Sequence, residues 1–512
     1  MSTSSSAHRD VEPHASGMVY LVGAGPGDPR LITLRGVQCL ARADLVLYDY
    51  LVNPRVLEHT RADAECICTG RHGHGKLMSQ PELNRRVVEA AREGRTVVRL
   101  KAGDPAIFAR AAEEIDALDA AGLRFEVVPG ITAALAAGSY AGIAITDRNV
   151  ASAVAFVTGR EQAEKATPAL DYGQLADFPG TIVVYMGVTT AGQWTSSLIA
   201  AGKAPETPAA IVRRCSWADQ LVVRCTLGTV AEEIDARQLR PPALVIVGTA
   251  VAGEAPGHWF ATRPLAGRRV LVTRPREQAA SLAEPLEDLG AEVLIQPAIE
   301  IAPPDDWRPV DDAIARLAEF DWLVFSSANG VRMLLDRLSD SSLDLRALGG
   351  LRIAAIGPGT AAELRRYHVR PDVVPESFRA ESLAASLSGE VRGRRCLLVR
   401  ASRGRQVLAE SLVAAGADVE EIVVYRSVDI AQPDDAIREA LEGGHIDWVT
   451  VTSSAIARNL AQMFGSTLGK ARLVSISPIT TATLTELGHP ASAEANPHDM
   501  PGVVAALLED AQ

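Results

Sequence analysis

Hydrophobic and polar residues follow two alternating patterns along most of the chain. Short runs rich in Val, Ile and Leu, such as those that begin at Met18 and Pro241, have the composition and length of buried strands. Between them lie stretches with apolar residues at helical spacing, for example Ser281 to Leu289. This alternation predicts an α/β fold, and in the second half it is the pattern of a parallel sheet wrapped by helices.

One stretch interrupts the pattern near the middle of the chain. Residues 251–268, "VAGEAPGHWFATRPLAGR", separate the strand-like run from Pro241 and the next run, "RRVLVTRP". The N-terminal residues mix Ser, His and charges without an apolar core, which predicts a disordered tail rather than a signal peptide. The predicted division is a tail at 1–17, a first domain at 18–260, a linker at 261–267 and a second domain at 268–512.

The second half repeats itself. The run "RVLVTRP" from Arg269 matches "RCLLVRA" from Arg395, and "DWLVFSSANGV" from Asp321 matches "DWVTVTSSAIA" from Asp447. Both pairs are separated by the same 126 residues, as is a third pair that starts at Leu289. A constant offset of this kind implies two copies of one α/β unit.

Polar turns follow the predicted strands of both copies. Ligands of open parallel sheets bind beyond the carboxyl ends of the strands, so these turns are predicted to line a cleft between two similar lobes. Arg274 and Arg400 occupy equivalent turns, and Arg276, Arg403 and Arg405 lie close by. These cations, with hydroxyls and helix N termini, suit a substrate with several carboxylates or phosphates. The alternative is a set of helix caps with solvated arginines.

Composition narrows the classes of function. The 512 residues, 47% of them hydrophobic, are enough for three or four domains of about 150 residues each. The net charge of −12 argues against general nucleic-acid binding, and the longest apolar stretch, Ile131 to Ile145, is too short and too broken for a membrane span. Six cysteines without a CxxC pair fit a reducing compartment, so the predicted location is cytoplasmic.

A glycine-rich stretch, "VGAGPGDPRLITLRG" from Val22, joins the first predicted strand to a helical pattern. Its glycines at 23, 25 and 27 do not have the spacing of a dinucleotide-binding loop. The turn of Gly25, Pro26 and Gly27 still permits a ligand to approach the backbone closely, so these residues are predicted to bind a cofactor. Further along, "AGD" from Ala102 offers backbone groups and one carboxylate, which suits a cationic ligand.

These segments, with "VVPGITAALAAGSYAGIAITDR" from Val127 and "TIVVYMG" from Thr181, have the order and spacing found in the uroporphyrinogen-III C-methyltransferases. The first half resembles that family over 18–260. The resemblance implies two α/β subdomains that bind S-adenosylmethionine together with a tetrapyrrole. It assigns contacts with the methyl donor to Pro26, Ala102, Gly103, Asp104, Ile107, Thr132, Ala133, Met186 and Cys215. A core position is the alternative for Met186 and Cys215, since both residue types pack readily.

The family's proton acceptor is an Asp in a "YDxLV" motif, present here as Asp49 in "LYDYLVN". Methyl transfer to a ring carbon requires alignment and then loss of a proton, for which a carboxylate base is suited. A turn or helix-cap aspartate is the alternative. The family's acid lysine corresponds to Arg71, which stays protonated and binds carboxylates but is a poor proton donor. Ala102 and Asp147 replace a glycine and a histidine of the family motifs.

The second half, from 268 to 510, resembles uroporphyrinogen-III synthase. The resemblance rests on "IGPGTA" from Ile356, on the "SS" turns after strands, and on Tyr425 in "VVYRSV". It implies two flavodoxin-like lobes, one made of 268–302 with 428–512 and the other of 303–427. The whole chain is therefore predicted to be α/β, with a tetrapyrrole-methylase-like two-subdomain unit followed by two flavodoxin-like lobes.

That family closes linear hydroxymethylbilane to uroporphyrinogen III and inverts ring D. Loss of the terminal hydroxyl as water benefits from a proton donor, and Tyr425 is the candidate acid, although a tyrosine in an amphipathic strand is often only a packed ring. Most of the rate would come from holding a flexible chain with its ends together. Candidate carboxylate contacts, assigned by turn position, are Arg274, Ser326, Ser327, Arg400, Thr452, Ser453, Ser477 and Thr481.

The two resemblances meet in consecutive reactions. The main hypothesis is a bifunctional enzyme that makes uroporphyrinogen III and methylates it at C2 and C7 to precorrin-2, with S-adenosylmethionine as donor, no metal, and a homodimer formed through the methyltransferase half. A zinc set of Cys66, Cys68, His72 and His74 is disfavoured by its spacing. Two alternatives stay open: a synthase with a degenerate methyltransferase domain, and a noncatalytic protein that binds an anionic metabolite.

Overall fold

The computed structural model describes residues 17–70, 78–160, 170–253, 259–377, 379–403 and 406–512. The chain forms two compact units. The first unit extends to Arg268 and includes Glu287–Glu292, and the second comprises Arg269–Leu286 and Val293–Gln512. The finer domain limits predicted above remain predictions.

The first unit alternates strands and helices along the chain. Its strands are β1 (Met18–Gly23), β2 (Leu45–Tyr48), β3 (Glu65–Cys68), β4 (Val97–Lys101), β5 (Arg124–Val128), β6 (Val154–Thr158), β7 (Thr181–Tyr185), β8 (Pro208–Arg213), β9 (Leu221–Thr226) and β10 (Ala243–Val247). Its helices are α1 (Leu34–Leu40), α2 (Gln80–Arg92), α3 (Ala111–Ala120), α4 (Ala133–Tyr140), α5 (Tyr172–Asp177), α6 (Ala191–Ala200) and α7 (Val230–Ala236).

Two five-stranded sheets organise this unit. Sheet 1 has the order β3-β2-β4-β1-β5, and all of its strand pairs are parallel. Sheet 2 has the order β6-β7-β10-β8-β9, in which only β6 and β7 run parallel. The methylase-like half is thus α/β with two separate sheets, as predicted.

Strand β1 shows why sheet 1 forms a central layer. Val19 and Leu21 face one hydrophobic core, and Tyr20 and Val22 face another. Side chains of successive residues point to opposite faces of a strand, so a continuous apolar run fits a sheet that is covered on both sides. The run from Met18 therefore encodes a central strand rather than an edge.

The second unit continues the α/β alternation. Its strands are β11 (Arg269–Val272), β12 (Glu292–Ile295), β13 (Ile299–Ala302), β14 (Trp322–Phe325), β15 (Arg352–Ala355), β16 (Arg395–Ala401), β17 (Asp418–Asp429), β18 (Trp448–Val451), β19 (Arg472–Ser475) and β20 (Ala493–Glu494). Its helices are α8 (Arg276–Asp288), α9 (Arg308–Ala315), α10 (Ala328–Ser339), α11 (Pro358–Arg366), α12 (Ala380–Leu387), α13 (Val407–Ala414), α14 (Asp435–Glu442), α15 (Ser454–Phe464), α16 (Pro478–Glu486) and α17 (Met500–Asp510).

The repeat in the sequence becomes two five-stranded sheets in which four equivalent strands have the same order, β12-β11-β18-β19 in one and β17-β16-β14-β15 in the other. Sheet 3 has the order β12-β11-β18-β19-β20, and sheet 4 has the order β13-β17-β16-β14-β15. The repeat relates β11 to β16 and β14 to β18, so each copy contributes strands to both sheets. Strand β17 pairs in parallel with β16 in its first part and antiparallel with β13 in its last part.

The helix predicted over Ser281–Leu289 begins earlier in the structure. Helix α8 starts at Arg276. The prediction missed its first turn because Arg276, Glu277 and Gln278 are polar and carry no apolar periodicity. The helix follows β11 through the short turn of Thr273, Arg274 and Pro275. This turn therefore lies at the carboxyl end of a parallel strand.

Candidate active sites

Three loops of sheet 1 approach each other closely through glycines, an arrangement called here the glycine crossing: Gly25 follows β1, Gly103 follows β4 and Gly130 follows β5. The backbone N–H of Gly25 donates to the carbonyl of Gly103 at 3.2 Å, and the N–H of Gly103 donates back to Gly25 at 2.8 Å. Both residues have positive φ, +81° and +72°, which glycine adopts without strain. A Cβ on Gly130 would lie 2.2 Å from the carbonyl oxygen of Gly103. The close approach explains why glycines occupy these positions.

A cavity of about 350 Å³ lies beside this crossing. Its volume falls within the range of about 300–1,000 Å³ that is common for small-molecule sites. Nine of the eleven residues predicted to bind the methyl donor line it: Pro26, Ala102, Gly103, Asp104, Ile107, Thr132, Ala133, Met186 and Cys215. Asp49, the predicted base, lines the same cavity.

The other two predicted residues, Gly25 and Gly27, shape the site without lining it. Gly25 forms the backbone bridge described above. A Cβ on Gly27 would lie 2.4 Å from the Trp217 ring, which itself lines the cavity. The Asn53 side chain fixes the turn by donating to the carbonyl oxygen of Gly27 at 2.9 Å.

The carboxylate of Asp104 is held by backbone groups at the cavity wall. Its two oxygens accept hydrogen bonds from the backbone N–H of Ala106 at 2.8 Å and of Gly130 at 2.9 Å. Asp104 is thereby fixed in a loop that begins at the positive-φ residue Gly103. The arrangement presents a localised negative charge, as a cationic ligand requires.

Tyr185 also lines the cavity, although the sequence analysis did not assign it a role. Its hydroxyl accepts from the backbone N–H of Ala134 at 3.0 Å and lies 2.7 Å from the hydroxyl of Thr132. Burial raises the pKa of Tyr185, which keeps its hydroxyl protonated at neutral pH. Its ring is 5.0 Å from that of Phe108, which is another lining residue. The position of Tyr185 directly before Met186 in "TIVVYMG" was the available signal.

An arginine and a tryptophan complete another part of the wall. The guanidinium of Arg214 lies 4.3 Å from the centroid of the Trp217 ring, and its Nε donates to Asp219 at 2.6 Å. Both Arg214 and Trp217 line the cavity. They were missed because none of the motifs quoted above includes them, although both lie within two residues of the assigned Cys215.

Met186 and Cys215 contact the cavity from different environments. Met186 is about half exposed and has a φ of +53°, whereas Cys215 is 7% exposed and also packs in a hydrophobic core. Burial raises the pKa of the Cys215 thiol to about 12. The two alternatives considered for Cys215, cavity wall and core, are therefore compatible.

Asp49 lies directly after β2, where its carboxylate is partly exposed to the cavity. It forms an ion pair with the guanidinium of Arg99, and the hydroxyl of Thr69 donates to it at 3.4 Å. Arg71, the counterpart of the family's acid lysine, lies outside the described residues. Asp147, the other departure, accepts backbone hydrogen bonds from Asn149 at 2.7 Å and from residue 150 at 3.2 Å, as expected of a turn aspartate.

In the second unit, Tyr425 lies near the carboxyl end of β16. It is 7% exposed, and its hydroxyl donates to the hydroxyl of Ser327 at 3.1 Å. Ser327 caps α10 by accepting from the backbone N–H of Gly330, and Ser326 donates to the carbonyl oxygen of Val399 at 2.9 Å. The structure thus brings the predicted acid together with two of the predicted substrate contacts.

The two arginines that the repeat makes equivalent have different partners. Arg400 forms an ion pair with Glu421. Arg274 donates to the carbonyl and side-chain oxygens of Gln278, at 3.2 and 2.9 Å, and to the hydroxyl of Ser281, all of which are uncharged. Burial lowers the pKa of Arg274, and no acidic side chain of the described ranges pairs with it. Its charge is therefore not neutralised within the part of the chain that the structure describes.

Arg274 is also connected to sheet 4. The side-chain amide of Gln278 donates to the side-chain oxygen of Asn329, in α10, at 2.8 Å. Asn329 follows Ser327 by two residues, so the turn after β11 and the turn after β14 meet. This hydrogen bond brings the first turns of α8 and α10 together.

The remaining predicted contacts form a separate group. Ser453 caps α15 by accepting from a backbone N–H at 3.2 Å, Ser477 lies 3.2 Å from the hydroxyl of Thr480, and Thr481 lies 2.6 Å from that of Ser475. Thr452 directly precedes Ser453 at the end of β18. No hydrogen bond between described residues joins this group to Tyr425 or Arg274.

The described residues contain no group of three or more His, Cys, Asp or Glu side chains arranged to hold a metal ion. Cys66 and Cys68 are exposed on β3, while His72 and His74 lie outside the described ranges. Within the part of the chain that the structure describes, no helix is both long and apolar enough to cross a bilayer.

Comparison with known proteins identifies both halves. Residues 18–231 match the family model of tetrapyrrole (corrin/porphyrin) methylases, and residues 280–505 match that of uroporphyrinogen-III synthase. A porphyrin biosynthesis protein from Ruminiclostridium josui is 32% identical over 440 residues, which cover 86% of this chain and 87% of the relative. The chain belongs to these families, as a fusion of a tetrapyrrole methylase and a uroporphyrinogen-III synthase.

Other relatives and solved structures are named as methyltransferases. A uroporphyrinogen-III C-methyltransferase from Bacillus subtilis is 38% identical over 356 residues, 69% of this chain and 72% of the relative. A solved uroporphyrin-III C-methyltransferase from Thermus thermophilus, complexed with S-adenosyl homocysteine, is 38% identical, with a TM-score of 0.40, and covers 46% of this chain and 99% of that chain. The methylase–synthase fusion is a bifunctional enzyme of tetrapyrrole biosynthesis.

Proposed function

We propose that the second half closes hydroxymethylbilane to uroporphyrinogen III, with inversion of ring D, and that the first half methylates this product at C2 and C7 to precorrin-2. The observation that carries the proposal is the cavity in the first unit. It gathers nine residues from five separate segments of sequence, with Asp49 on its wall. Domains at 18–260 and 268–512, a linker at 261–267, and lobes at 268–302 with 428–512 and at 303–427 are part of the proposal.

The residues around the cavity suit S-adenosylmethionine. Asp104 presents a fixed carboxylate, the glycine crossing leaves backbone close to the cavity, and Tyr185 with Thr132 supplies hydroxyl groups. The methyl donor would supply an electrophilic methyl group on a cationic sulfonium. The chain's own task is to hold that methyl group in line with a ring carbon and to exclude competing water.

Asp49 is the proposed proton acceptor. Attack by a ring carbon on the methyl group leaves the ring with one proton too many, and the Asp49 carboxylate can take it up. The ion pair with Arg99 holds the Asp49 carboxylate in place at the cavity wall, where it can meet the substrate. Asp49 needs no proton from Arg71 for this step, so an arginine at position 71 is compatible with turnover if it binds a substrate carboxylate.

In the synthase half, Tyr425 is the proposed proton donor. Transfer of the phenol proton to the terminal hydroxyl of hydroxymethylbilane releases water and leaves an electrophilic carbon at that end of the substrate. The other end of the linear substrate then attacks this carbon, and ring closure proceeds through a spiro intermediate. Ser327 accepts the same phenol proton in the absence of substrate, which orients the hydroxyl. Arg274 is the proposed carboxylate anchor because its charge has no acidic partner among the described residues. The hydroxyl groups of Ser326, Thr452, Ser453, Ser477 and Thr481 are proposed as weaker contacts.

Location and assembly complete the proposal. Six cysteines without a CxxC pair support a reducing, cytoplasmic environment. The family resemblance supports a homodimer through the methyltransferase half. Analytical ultracentrifugation of the full chain and of a chain ending at residue 260 tests whether the protein is a dimer and whether the methyltransferase half forms the dimer interface.

The test of function is an anaerobic incubation of the purified protein with hydroxymethylbilane, with and without S-adenosylmethionine. Precorrin-2 is expected only with the methyl donor, and uroporphyrinogen III without it. In the Asp49→Asn variant, uroporphyrinogen III should accumulate unmethylated. In Tyr425→Phe, methylation of supplied uroporphyrinogen III should persist while ring closure slows.

Two outcomes separate the alternatives. Unmethylated uroporphyrinogen III from the wild-type protein would show a degenerate methyltransferase domain. Formation of the spontaneously closed isomer I alone, with tight binding of the substrate, would favour a noncatalytic binding protein.

A further inference from the structure

Three charged side chains lie almost completely buried beneath the predicted base. The side chains of Arg99 and Lys101, on β4, are 5% and 2% exposed, and that of Glu114, on α3, is 4% exposed. Asp49, at 30%, is the one member of this connected set with substantial access to the cavity. Arg99 and Lys101 are two residues apart on a strand, so their side chains leave the same face of sheet 1.

The contacts join these four residues in a line. Lys101 Nζ lies 2.7 and 2.8 Å from the two carboxylate oxygens of Glu114, and Arg99 Nε lies 3.1 Å from one of them. The other end of the Arg99 guanidinium pairs with Asp49. The line carries two positive and two negative charges, so it is neutral as a whole. Gln80 completes it by donating to Glu114 at 3.2 Å.

Backbone contacts fix the guanidinium between its two carboxylates. Arg99 Nη1 donates to the carbonyl oxygens of Leu47 at 3.3 Å and Leu100 at 3.1 Å. Burial and the neighbouring Arg99 lower the pKa of Lys101, and Glu114 opposes this effect. A buried charge is tolerated when it is paired and hydrogen-bonded, as every member here is. The removal of one member therefore changes how the others share their charge.

We propose that Arg99, Glu114 and Lys101 are positioning residues for Asp49: Glu114 competes with Asp49 for the Arg99 guanidinium, and Lys101 sets the strength of that competition. This inference rests on the proposed role of Asp49 as the base. It assigns a task to Glu114 and Lys101, neither of which reaches the cavity.

The other groups near Asp49 do not replace this control. From sheet 1, Thr69 and the backbone N–H of Ala102 approach Asp49 at 3.4 Å. The neighbouring Tyr50 is a neutral phenol whose pKa is raised by burial and then by Asp49. Asp104 lines the same cavity and keeps its two backbone donors. Among the residues that the structure describes, Arg99 is therefore the cation that contacts Asp49 directly.

Thermal unfolding of the full-length protein tests the competition without reference to activity. The destabilisation caused by Asp49→Asn is measured in the wild type, in Glu114→Gln and in Lys101→Met. In Glu114→Gln it should be larger than in the wild type, because two buried cations then depend on Asp49 alone. In Lys101→Met it should be smaller, because Glu114 then holds Arg99 and Asp49 becomes a surplus anion.

Each difference should correspond to a change of about tenfold in the unfolding equilibrium constant, as is common for residues in one charge network. Glu113→Gln is the matched control, since Glu113 precedes Glu114 but is 46% exposed and pairs with Arg110. The double variant Lys101→Met/Glu114→Gln removes one charge of each sign. In it, the effect of Asp49→Asn should return toward the wild-type value.

Activity provides a second readout that a purely structural role would not move. In the methylation of uroporphyrinogen III, the acid limb of the pH profile should move to lower pH in Glu114→Gln and to higher pH in Lys101→Met, by about 0.5–1 pH unit. Additive stability effects, or shifts of the profile that are absent or of the same sign, would overturn the inference. A wild-type protein that forms no methylated tetrapyrrole would instead contradict the proposed function, and the stability cycles would still decide the inference.

Discussion

The two arginines related by the internal repeat allow a sharp test of the synthase half. Arg274→Gln and Arg400→Gln make the same chemical change at equivalent positions. Among the residues that the structure describes, Arg274 bonds only uncharged acceptors, whereas Arg400 is paired with Glu421. We therefore expect Arg274 to bind a substrate carboxylate and Arg400 to act mainly in stability.

The magnitude follows from these contacts. A hydrogen bond to a charged group contributes about 1.5–3 kcal/mol, so Arg274→Gln should lower kcat/KM for hydroxymethylbilane by about 10- to 150-fold. Removal of a partly buried cation that has no counter-charge in the described ranges should not lower the free energy of unfolding. Arg400→Gln should lower that free energy by about 1 kcal/mol, since its partner Glu421 is about one-third exposed, and should change kcat/KM by less than about threefold.

The assay measures initial rates of uroporphyrinogen III formation, corrected for spontaneous closure to isomer I, and urea unfolding of the same three proteins. We expect Arg274→Gln to lose activity and keep its stability, and Arg400→Gln to lose stability and keep its activity. Equal losses of kcat/KM in both variants, or a loss below threefold in Arg274→Gln, would refute the assignment of the carboxylate anchor.

Three further predictions concern single residues. Gly130→Ala should destabilise the first unit by about 1–3 kcal/mol and abolish S-adenosylhomocysteine binding in calorimetry, because its Cβ would meet backbone at 2.2 Å. The control Gly192→Ala, in α6, should be neutral or stabilising because there is open space around its Cβ. Tyr425→Phe should keep the thermal midpoint within a few degrees but slow ring closure at least tenfold, and an unchanged rate would exclude Tyr425 as the acid. The Cys215 thiol, with a pKa of about 12, is almost entirely protonated at pH 8; mass spectrometry should find it unalkylated by iodoacetamide until the pH is raised or the protein unfolds, and rapid labelling at pH 8 would contradict its burial.

The sequence was most informative where residues are constrained by backbone geometry. Gly25 and Gly103 need positive φ, and Gly130 leaves no space for a Cβ, so the loops around the cavity carry recognisable glycine patterns. The continuous apolar run from Met18 likewise encodes a strand covered on both faces. Such local requirements can be recognised in one sequence without knowledge of its partners.

Contacts between distant segments could not be predicted in this way. Trp217 reaches the cavity through the turn after β8 and has no distinctive local pattern, and the one signal for Tyr185, in sheet 2, was its place next to Met186. The pairing of Arg400 with Glu421 depends on the register of β16 and β17, which includes an irregularity next to Arg400. Equivalence in the repeat therefore predicted equal roles for Arg274 and Arg400, while the partners of the two side chains differ.

The exchange of strands between the two copies of the repeat bears on the order in which the chain can fold during synthesis. Sheet 4 draws its strands from residues 299–429, so its sequence is complete well before the C terminus is translated. Sheet 3 begins with β11 and β12 but needs β18, β19 and β20, which are the last strands to leave the ribosome. Strand β11 must wait through the synthesis of more than a hundred residues for its partner β18, a separation that slows pairing and extends the exposure of apolar edges. A nascent chain arrested just before β18 should thus carry a finished sheet 4 and an unfinished sheet 3, and that interval is when a chaperone would be needed most.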